Sequence, residues 1–276
     1  HEFDALGARI AGIKRIRIFG AGANGGDLHA LLSPHLDLAG FIDNDPGKQV
    51  GGFLGMPVAA PARLDDNEAV VLALPPAAVP GALGQLAEFG FRENETAFPA
   101  QLFAPLYFLY ARGRVCLPSL SFLPTTRCNL NCRHCLNFMP HIARHPERPL
   151  ARLTRSLDQL FACVDMVILF HLSGGEPFLY RELAELIDYL GGRYGSRIQR
   201  LALTTNGTVM PSDEVCLACR RRRVSVTLDD YRASLPGREG RFLAVREKLA
   251  EFGVSFRVSR PEGWVDLTPP GLNRAD

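Results

Sequence analysis

The sequence lacks several features that would assign it to a special class of protein. No apolar run approaches the ~20 residues of a membrane-spanning helix, and its start shows no secretory signal pattern. The formal net charge is only +2, so no overall field favours nucleic acid or an anionic membrane. Seven cysteines in 276 residues do not resemble the dense disulfide framework of a small secreted protein. These absences predict a cytoplasmic protein in a reducing setting, with no nucleic-acid partner and no membrane span.

The composition is that of an ordinary globular protein. Hydrophobic residues make up 47% and charged residues 22% of the chain, which is enough apolar material for a sizeable core. A length of 276 residues allows one large or two medium domains. Residues 1–3 lack an initiator Met and are expected to lie outside the fold.

The first hundred residues predict a parallel sheet with a glycine-rich turn. A predicted strand at 15–19 runs into this turn, and a helix and a second strand at 38–42 follow. Three glycines stand in G-x-G-x-x-G spacing: Gly20, Gly22 and Gly25. Asp43 ends the second strand, about 20 residues after the glycines, as in dinucleotide-binding domains. Residues 5–100 are therefore predicted to be a Rossmann-like domain of nucleotide-binding type.

Two interpretations of this turn stay open. The glycines and Asp43 could line a nucleotide site, or the glycines could serve only the tight turn and close helix packing. Residues 101–117 are interpreted as a connector, apolar from Leu102 to Tyr110, which we expect to form a short helix packed against both domains.

From residue 118 onward, strands alternate with helices, the pattern of βα units in an α/β fold. After the first predicted strand, three cysteines follow in C-x3-C-x2-C spacing: Cys128, Cys132 and Cys135. Thiolates are the usual ligands of iron–sulfur clusters, and three cysteines leave one iron of a four-iron cluster open to a small molecule. A zinc ion completed by His134 or His141 would explain the three cysteines equally well.

Further polar motifs end the next three predicted strands. Gly174-Gly175-Glu176-Pro177 follows the second strand, Asn206 the third and Asp229 the fourth. Carboxyl ends of parallel strands meet at one edge, where the active sites of βα folds lie. We therefore expect these motifs and the cysteines to share one site.

The cysteine spacing, followed by Gly174-Gly175-Glu176-Pro177, resembles the radical S-adenosylmethionine (SAM) superfamily. The resemblance implies a partial (β/α)6-type barrel over 118–276, of which five βα units are visible, so that the barrel is expected to stop before closing at its C-terminal end. It implies a [4Fe-4S] cluster on the three cysteines, SAM on the open iron, and a 5′-deoxyadenosyl radical that abstracts hydrogen from a substrate. The SAM-binding residues implied are Gly174, Gly175, Glu176 and Pro177 for the amino group, Thr205, Asn206, Thr227 and Asp229 for the ribose or carboxylate, and His134 near the adenine.

Residues 41–58 are similar to the small Rossmann-like domain found beside sugar O-acyltransferases and on surface-polysaccharide enzymes. That similarity implies a nucleotide or nucleotide-sugar held near Gly20, Gly22, Gly25 and Asp43. The expected substrate is a sugar, nucleotide-sugar or glycan-linked compound, with flavodoxin or ferredoxin as electron donor. Three alternatives remain: a peptide-modifying radical SAM maturase, a non-catalytic cluster- or nucleotide-binding protein with an incomplete barrel, and a nucleotide-dependent oxidoreductase.

A second cysteine pair, Cys216 and Cys219, lies in a predicted helix with C-x2-C spacing. It could be a metal or redox pair, but no partner pair exists. Packing as two small hydrophobes is the preferred interpretation.

Overall fold

The computed structural model describes residues 2–62, 68–132, 135–142, 145–234 and 239–260. The chain divides into two compact units, His1–Pro118 and Ser119–Asp276. Each described sheet has five strands. The α/β class expected from the sequence is confirmed.

The first unit is a parallel sheet with helical connections. Its elements are α1 (Glu2–Gly12), β1 (Arg15–Phe19), α2 (Ala23–Leu32), β2 (Asp37–Ile42), α3 (Pro46–Gly51), β3 (Val58–Ala59), β4 (Ala69–Leu72), α4 (Val79–Ala87), β5 (Ala97–Pro99) and α5 (Ala100–Arg112). The strand order is β3-β2-β1-β4-β5, and every neighbouring pair is parallel. This is the order of the first five strands in a doubly wound dinucleotide-binding sheet.

The central strands of this sheet are apolar because helices cover a parallel sheet on both faces. Ile16 and Ile18 of β1 are fully buried, as are Val70 and Val71 of β4. Consecutive buried residues along β4 hide both of its faces, which explains why the strand reads as an unbroken hydrophobic run.

Helix α1 corrects the expectation that residues 1–3 lie outside the fold, since Glu2 and Phe3 belong to it. It packs against α5, where a Cβ on Gly7 would lie 2.3 Å from the Tyr110 ring. The Tyr110 hydroxyl donates to Asp4 Oδ1 at 2.6 Å. Helix α5 covers most of the segment expected to be a connector and lies in the first unit, with Phe103 and Phe108 fully buried.

The second unit repeats a strand-then-helix pattern. Its elements are β6 (Cys116–Thr125), α6 (Leu150–Cys163), β7 (Met166–Gly174), α7 (Leu183–Arg193), β8 (Ile198–Thr205), α8 (Asp213–Arg221), β9 (Ser225–Asp229), α9 (Glu239–Glu251) and β10 (Phe256–Ser259). The strands stand in chain order, β10-β9-β8-β7-β6. The predicted run of five βα strands is therefore present among the described residues.

Burial alternates along these strands because only one face of the sheet is covered by helices. Phe170 on β7 is fully buried and stacks against Phe161 of α6, with ring centroids 6.3 Å apart. The intervening residues are half-buried or exposed and form what we call the inner face: His171, Ser173, Thr204, Ser225, Thr227, Asp229, Arg257 and Ser259. The inner face is polar, as expected for a face that meets a ligand rather than a core.

Cys216 and Cys219 lie in α8 and are 0% and 1% exposed. Burial raises the pKa of Cys219 to about 12. Both observations support their packing as small hydrophobes.

No helix in the described part of the chain has both the length and the apolar character needed to cross a membrane.

Candidate functional site

A cavity of about 350 Å³ lies at the carboxyl ends of the strands in the second unit. Most of the residues expected to share one site line it: Cys128, Cys132, Cys135, Gly174, Gly175, Thr205, Asn206 and Asp229. The remaining expected residues are placed differently. Glu176 and Pro177 are buried, Thr227 pairs with Thr204 on β8 and does not line the cavity, and His134 lies outside the described residues.

At Gly174 and Gly175 a neighbouring backbone segment leaves no room for a side chain. A Cβ on Gly174, whose φ is +123°, would lie 2.5 Å from the Thr125 carbonyl oxygen, and one on Gly175 would lie 2.0 Å from that of Arg127. The Gly175 amide donates to the Thr125 carbonyl at 3.0 Å, and the Glu176 amide to the Arg127 carbonyl at 2.8 Å. The two glycines therefore allow the close approach of the segment that leads into Cys128.

Glu176 joins the ends of two strands. Its side chain is 0% exposed. It accepts hydrogen bonds from the Phe178 amide at 3.0 Å, the Thr205 hydroxyl at 2.8 Å and the Asn206 amide at 2.9 Å. Burial raises its pKa to about 7. The three contacts of the carboxylate that the structure shows are therefore with the protein itself.

The cysteine loop is tied to the end of β8 by side-chain amides. Asn206 Nδ2 donates to Asn129 Oδ1 at 3.0 Å, and Asn129 Nδ2 donates to the Thr208 hydroxyl at 2.7 Å. The Thr208 amide and hydroxyl both donate to Asn206 Oδ1, at 2.9 and 2.6 Å. Asn129 stands between the first two cysteines, so this network fixes the loop that carries Cys128. Sequence reasoning missed Asn129 and Thr208, although Asn129 lies inside the motif.

The three thiols have the ligand chemistry of an iron–sulfur cluster or of a zinc site. His134, one candidate fourth ligand of a zinc ion, lies outside the described residues. A four-iron cluster binds each thiolate to a different iron, so its ligands surround a larger volume. All three cysteines line the same cavity as free thiols.

The local environment of the thiols also bears on metal binding. Burial raises the pKa of Cys128 to about 11 and that of Cys132 to about 12. Such thiols stay protonated at neutral pH until a metal displaces the proton. The Leu130 amide donates to Cys128 Sγ at 3.5 Å, which favours the thiolate.

Two further hydrogen-bonded pairs of side chains line the cavity. His171 Nε2 shares a hydrogen bond of 2.8 Å with the Thr204 hydroxyl, and burial lowers the pKa of His171. The Tyr231 hydroxyl donates to Asp229 Oδ2 at 3.3 Å, and burial raises the pKa of Asp229. His171 stands two residues before Ser173, and Thr204 stands two residues before Asn206, so strand alternation was the available sequence signal for both.

The first unit has its own cavity of about 350 Å³, at the glycine-rich turn. Gly20 and Asp43 line it, whereas Gly22 and Gly25 do not. A Cβ on Gly25 would lie 1.9 Å from the Gly20 carbonyl oxygen. Gly25 therefore serves the close approach of helix and turn, one of the two interpretations left open.

Asp43 stabilises the loops around this cavity. It accepts from the Ala21 amide at 2.8 Å and the Asp45 amide at 3.0 Å, and it pairs with Lys48 Nζ at 2.9 Å. The Asp43 carboxylate therefore contacts groups of the loops that surround it. At the cavity rim, Asn44 and Gln85 exchange two amide hydrogen bonds of 3.1 Å.

Comparisons with known proteins agree with this geometry. Residues 122–252 match the family model of the radical SAM superfamily, whose members use a [4Fe-4S] cluster and SAM. The chain is similar to GTP 3′,8-cyclase 3 of Mycobacterium bovis, with 31% identity over 140 residues, 46% of this chain and 33% of that protein. It is also similar to the antilisterial bacteriocin subtilosin biosynthesis protein AlbA of Bacillus subtilis, with 29% identity over 154 residues, 50% of this chain and 32% of that protein.

These matches are partial in length. The chain spans about a third of each of the two curated relatives. The crystal structure of Streptococcus suis SuiB bound to the precursor peptide SuiA aligns with a TM-score of 0.41 and 19% identity, covering 57% of this chain and 36% of that one.

Proposed function

Because residues 122–252 match the family model of the radical SAM superfamily, we propose that this chain is a radical SAM enzyme. It binds a [4Fe-4S] cluster through Cys128, Cys132 and Cys135, with SAM in the adjacent cavity. When bound, the cluster supplies the electron that splits SAM, and the resulting 5′-deoxyadenosyl radical abstracts hydrogen from the substrate. The observation that carries the proposal is that all three thiols and the carboxyl ends of three neighbouring strands face one cavity.

In this proposal, residues of the chain itself hold the cysteine loop in place and orient SAM. The Asn129–Asn206–Thr208 network and the Gly175 and Glu176 backbone bonds fix the cysteine loop. Because the Glu176 carboxylate is engaged inside the protein, backbone carbonyls near Gly174 remain as acceptors for the SAM amino group. Asp229, held by Tyr231, faces the cavity as an acceptor for ribose hydroxyls.

The proposed substrate is a sugar, nucleotide-sugar or glycan-linked compound. Support comes from the likeness of residues 41–58 to the Rossmann-like domains of surface-polysaccharide enzymes and from the cavity at Gly20 and Asp43. The GTP 3′,8-cyclase relatives are named for a nucleotide substrate, which agrees with a phosphorylated small molecule. A flavodoxin or ferredoxin is the proposed electron donor, in the cytoplasm.

A peptide-modifying maturase is the second candidate. One observation favours it: the similarity to AlbA, a bacteriocin biosynthesis protein, extends over half of this chain.

The test is formation of 5′-deoxyadenosine. The protein is reconstituted anaerobically with iron and sulfide, then incubated with SAM and a reductant. We expect deoxyadenosine from the wild type and none from Cys132→Ser. Cys163→Ser is the matched control, because Cys163 is exposed at the end of α6, away from the cavity lining. An intact cluster without deoxyadenosine would instead identify a non-catalytic cluster-binding protein.

A further inference from the structure

The inner face continues the cavity lining toward β10. Thr204 pairs with Thr227 on β9, and Thr227 pairs with Arg257 on β10. His171 joins the same row through its hydrogen bond of 2.8 Å to Thr204. A row of polar groups thus crosses four strands, from two residues that line the cavity to the exposed Arg257.

The position of Arg257 places its charge within reach of the cavity. Neighbouring strands lie ~4.8 Å apart, so Arg257 is about 10 Å from the Thr204 strand at the backbone, a span that its extended side chain covers in large part. Its charge acts on both titratable groups of the inner face that line the cavity. It adds to the burial that lowers the pKa of His171, and it opposes the burial that raises the pKa of Asp229.

The two charged groups occupy different levels of the face. Asp229 pairs with Ser259 at the carboxyl end, whereas Arg257 pairs with Thr227, two residues nearer the amino end. Asp229 therefore stands at the strand ends where SAM is proposed to bind, and Arg257 stands two residues farther from those ends. Burial lowers the pKa of His171, which lies on the same face.

We propose that Arg257, with the hydroxyls of Thr204 and Thr227, binds a phosphate group of the substrate. This inference rests on the proposed function, because it assigns the substrate class of that site. A guanidinium offers two parallel N–H donors to phosphate oxygens, and hydroxyls supply further donors for the remaining oxygens. If His171 carries its proton on Nε2, it donates to Thr204 and leaves the Thr204 hydroxyl hydrogen for the ligand. A carboxylate needs fewer donors than this row provides, so the row favours a phosphate-bearing small molecule.

The test is equilibrium dialysis of radiolabelled inorganic phosphate against the full chain, reconstituted with cluster and SAM, at fixed ionic strength. We expect Arg257→Gln to weaken phosphate binding by about ten- to a hundredfold, the usual effect of losing hydrogen bonds to a charged group. Arg246→Gln is the control, because it removes the same charge from an exposed position on α9 and should bind phosphate as the wild type does. Thr227→Val, which keeps the side-chain shape, should weaken binding by a smaller factor.

Three outcomes would overturn the inference: no phosphate binding by the wild type, equal binding by Arg257→Gln and wild type, or acetate binding as tight as phosphate. Circular dichroism of each variant separates loss of a contact from loss of the fold. Deoxyadenosine formed without substrate is measured in the same samples. Deoxyadenosine without phosphate binding overturns the phosphate site alone, whereas Arg257-dependent phosphate binding without deoxyadenosine supports the phosphate site and overturns the proposed function.

Discussion

Replacing Gly175 by Ala should release the cysteine loop from the strand that holds it. The added Cβ would lie 2.0 Å from the Arg127 carbonyl oxygen and 2.5 Å from the Arg127 carbonyl carbon. These are backbone atoms, so they cannot rotate away as a flexible side chain would. Real Cβ contacts are essentially never shorter than 3.0 Å, so the two chain segments must separate by about 1 Å or more.

That separation would break bonds that position Cys128. The Gly175 amide bond to Thr125, at 3.0 Å, and the Glu176 amide bond to Arg127, at 2.8 Å, both join the displaced segments. Buried donors left without partners cost about 1–3 kcal/mol each, so the loss of both bonds should lower stability by roughly 2–6 kcal/mol. Since the same segment carries Cys128, iron binding should fall as well.

The assay is iron and sulfide per chain after anaerobic reconstitution, with thermal unfolding of the unreconstituted protein beside it. Gly195→Ala is the control, because a Cβ there meets nothing within 4 Å. Gly175→Ala should unfold at a lower temperature and retain less iron than this control. If both variants match the wild type, the glycines do not position the cysteine loop.

Three other substitutions test the account elsewhere in the chain. Glu176→Gln replaces an acceptor of three hydrogen bonds by an amide with one acceptor oxygen, so the free energy of unfolding should drop by about 1–3 kcal/mol in a denaturant titration; an unchanged midpoint would contradict the assigned contacts. Gly25→Ala should destabilise the first unit by several kcal/mol, roughly as severe overpacking does, because its Cβ would lie 1.9 Å from the Gly20 carbonyl oxygen. Gly12→Ala, where the added Cβ meets open space, should not destabilise it. Cys219→Ala should leave iron per chain unchanged while lowering the melting temperature, since Cys219 packs in the core; a fall in iron would instead reveal a metal role.

The sequence predicted the strands and their polar ends well because both depend on local pattern. Apolar runs followed by Gly, Asn or Asp indicated strand ends, and parallel strands bring those ends to one edge. Cys128, Asn206 and Asp229 are separated in the chain, yet all line the cavity. The spacing of the three cysteines, followed by Gly174-Gly175-Glu176-Pro177, carried the iron–sulfur interpretation.

What the sequence could not supply is the partner of each polar atom. Glu176 bonds with Thr205 and the Asn206 amide across two strands, and Asn129 bonds with Thr208. These pairs depend on strand register, which residue types alone do not fix. For the same reason the sequence did not predict that the Asp43 carboxylate accepts from the Ala21 amide.

The predicted elements begin with the strand at 15–19, and the contact between Gly7 of α1 and Tyr110 of α5 is seen only in the structure. The pairing is tertiary, so no local signal announced it.

The central claim is that three thiols hold a cluster whose open iron takes SAM. The most direct measurement is the electron paramagnetic resonance spectrum of the reduced, reconstituted protein with and without SAM. We predict a reduced four-iron signal that changes when SAM is added, and no such signal in Cys132→Ser. A protein that binds zinc and no sulfide, or a cluster signal that SAM leaves unchanged, would contradict the claim.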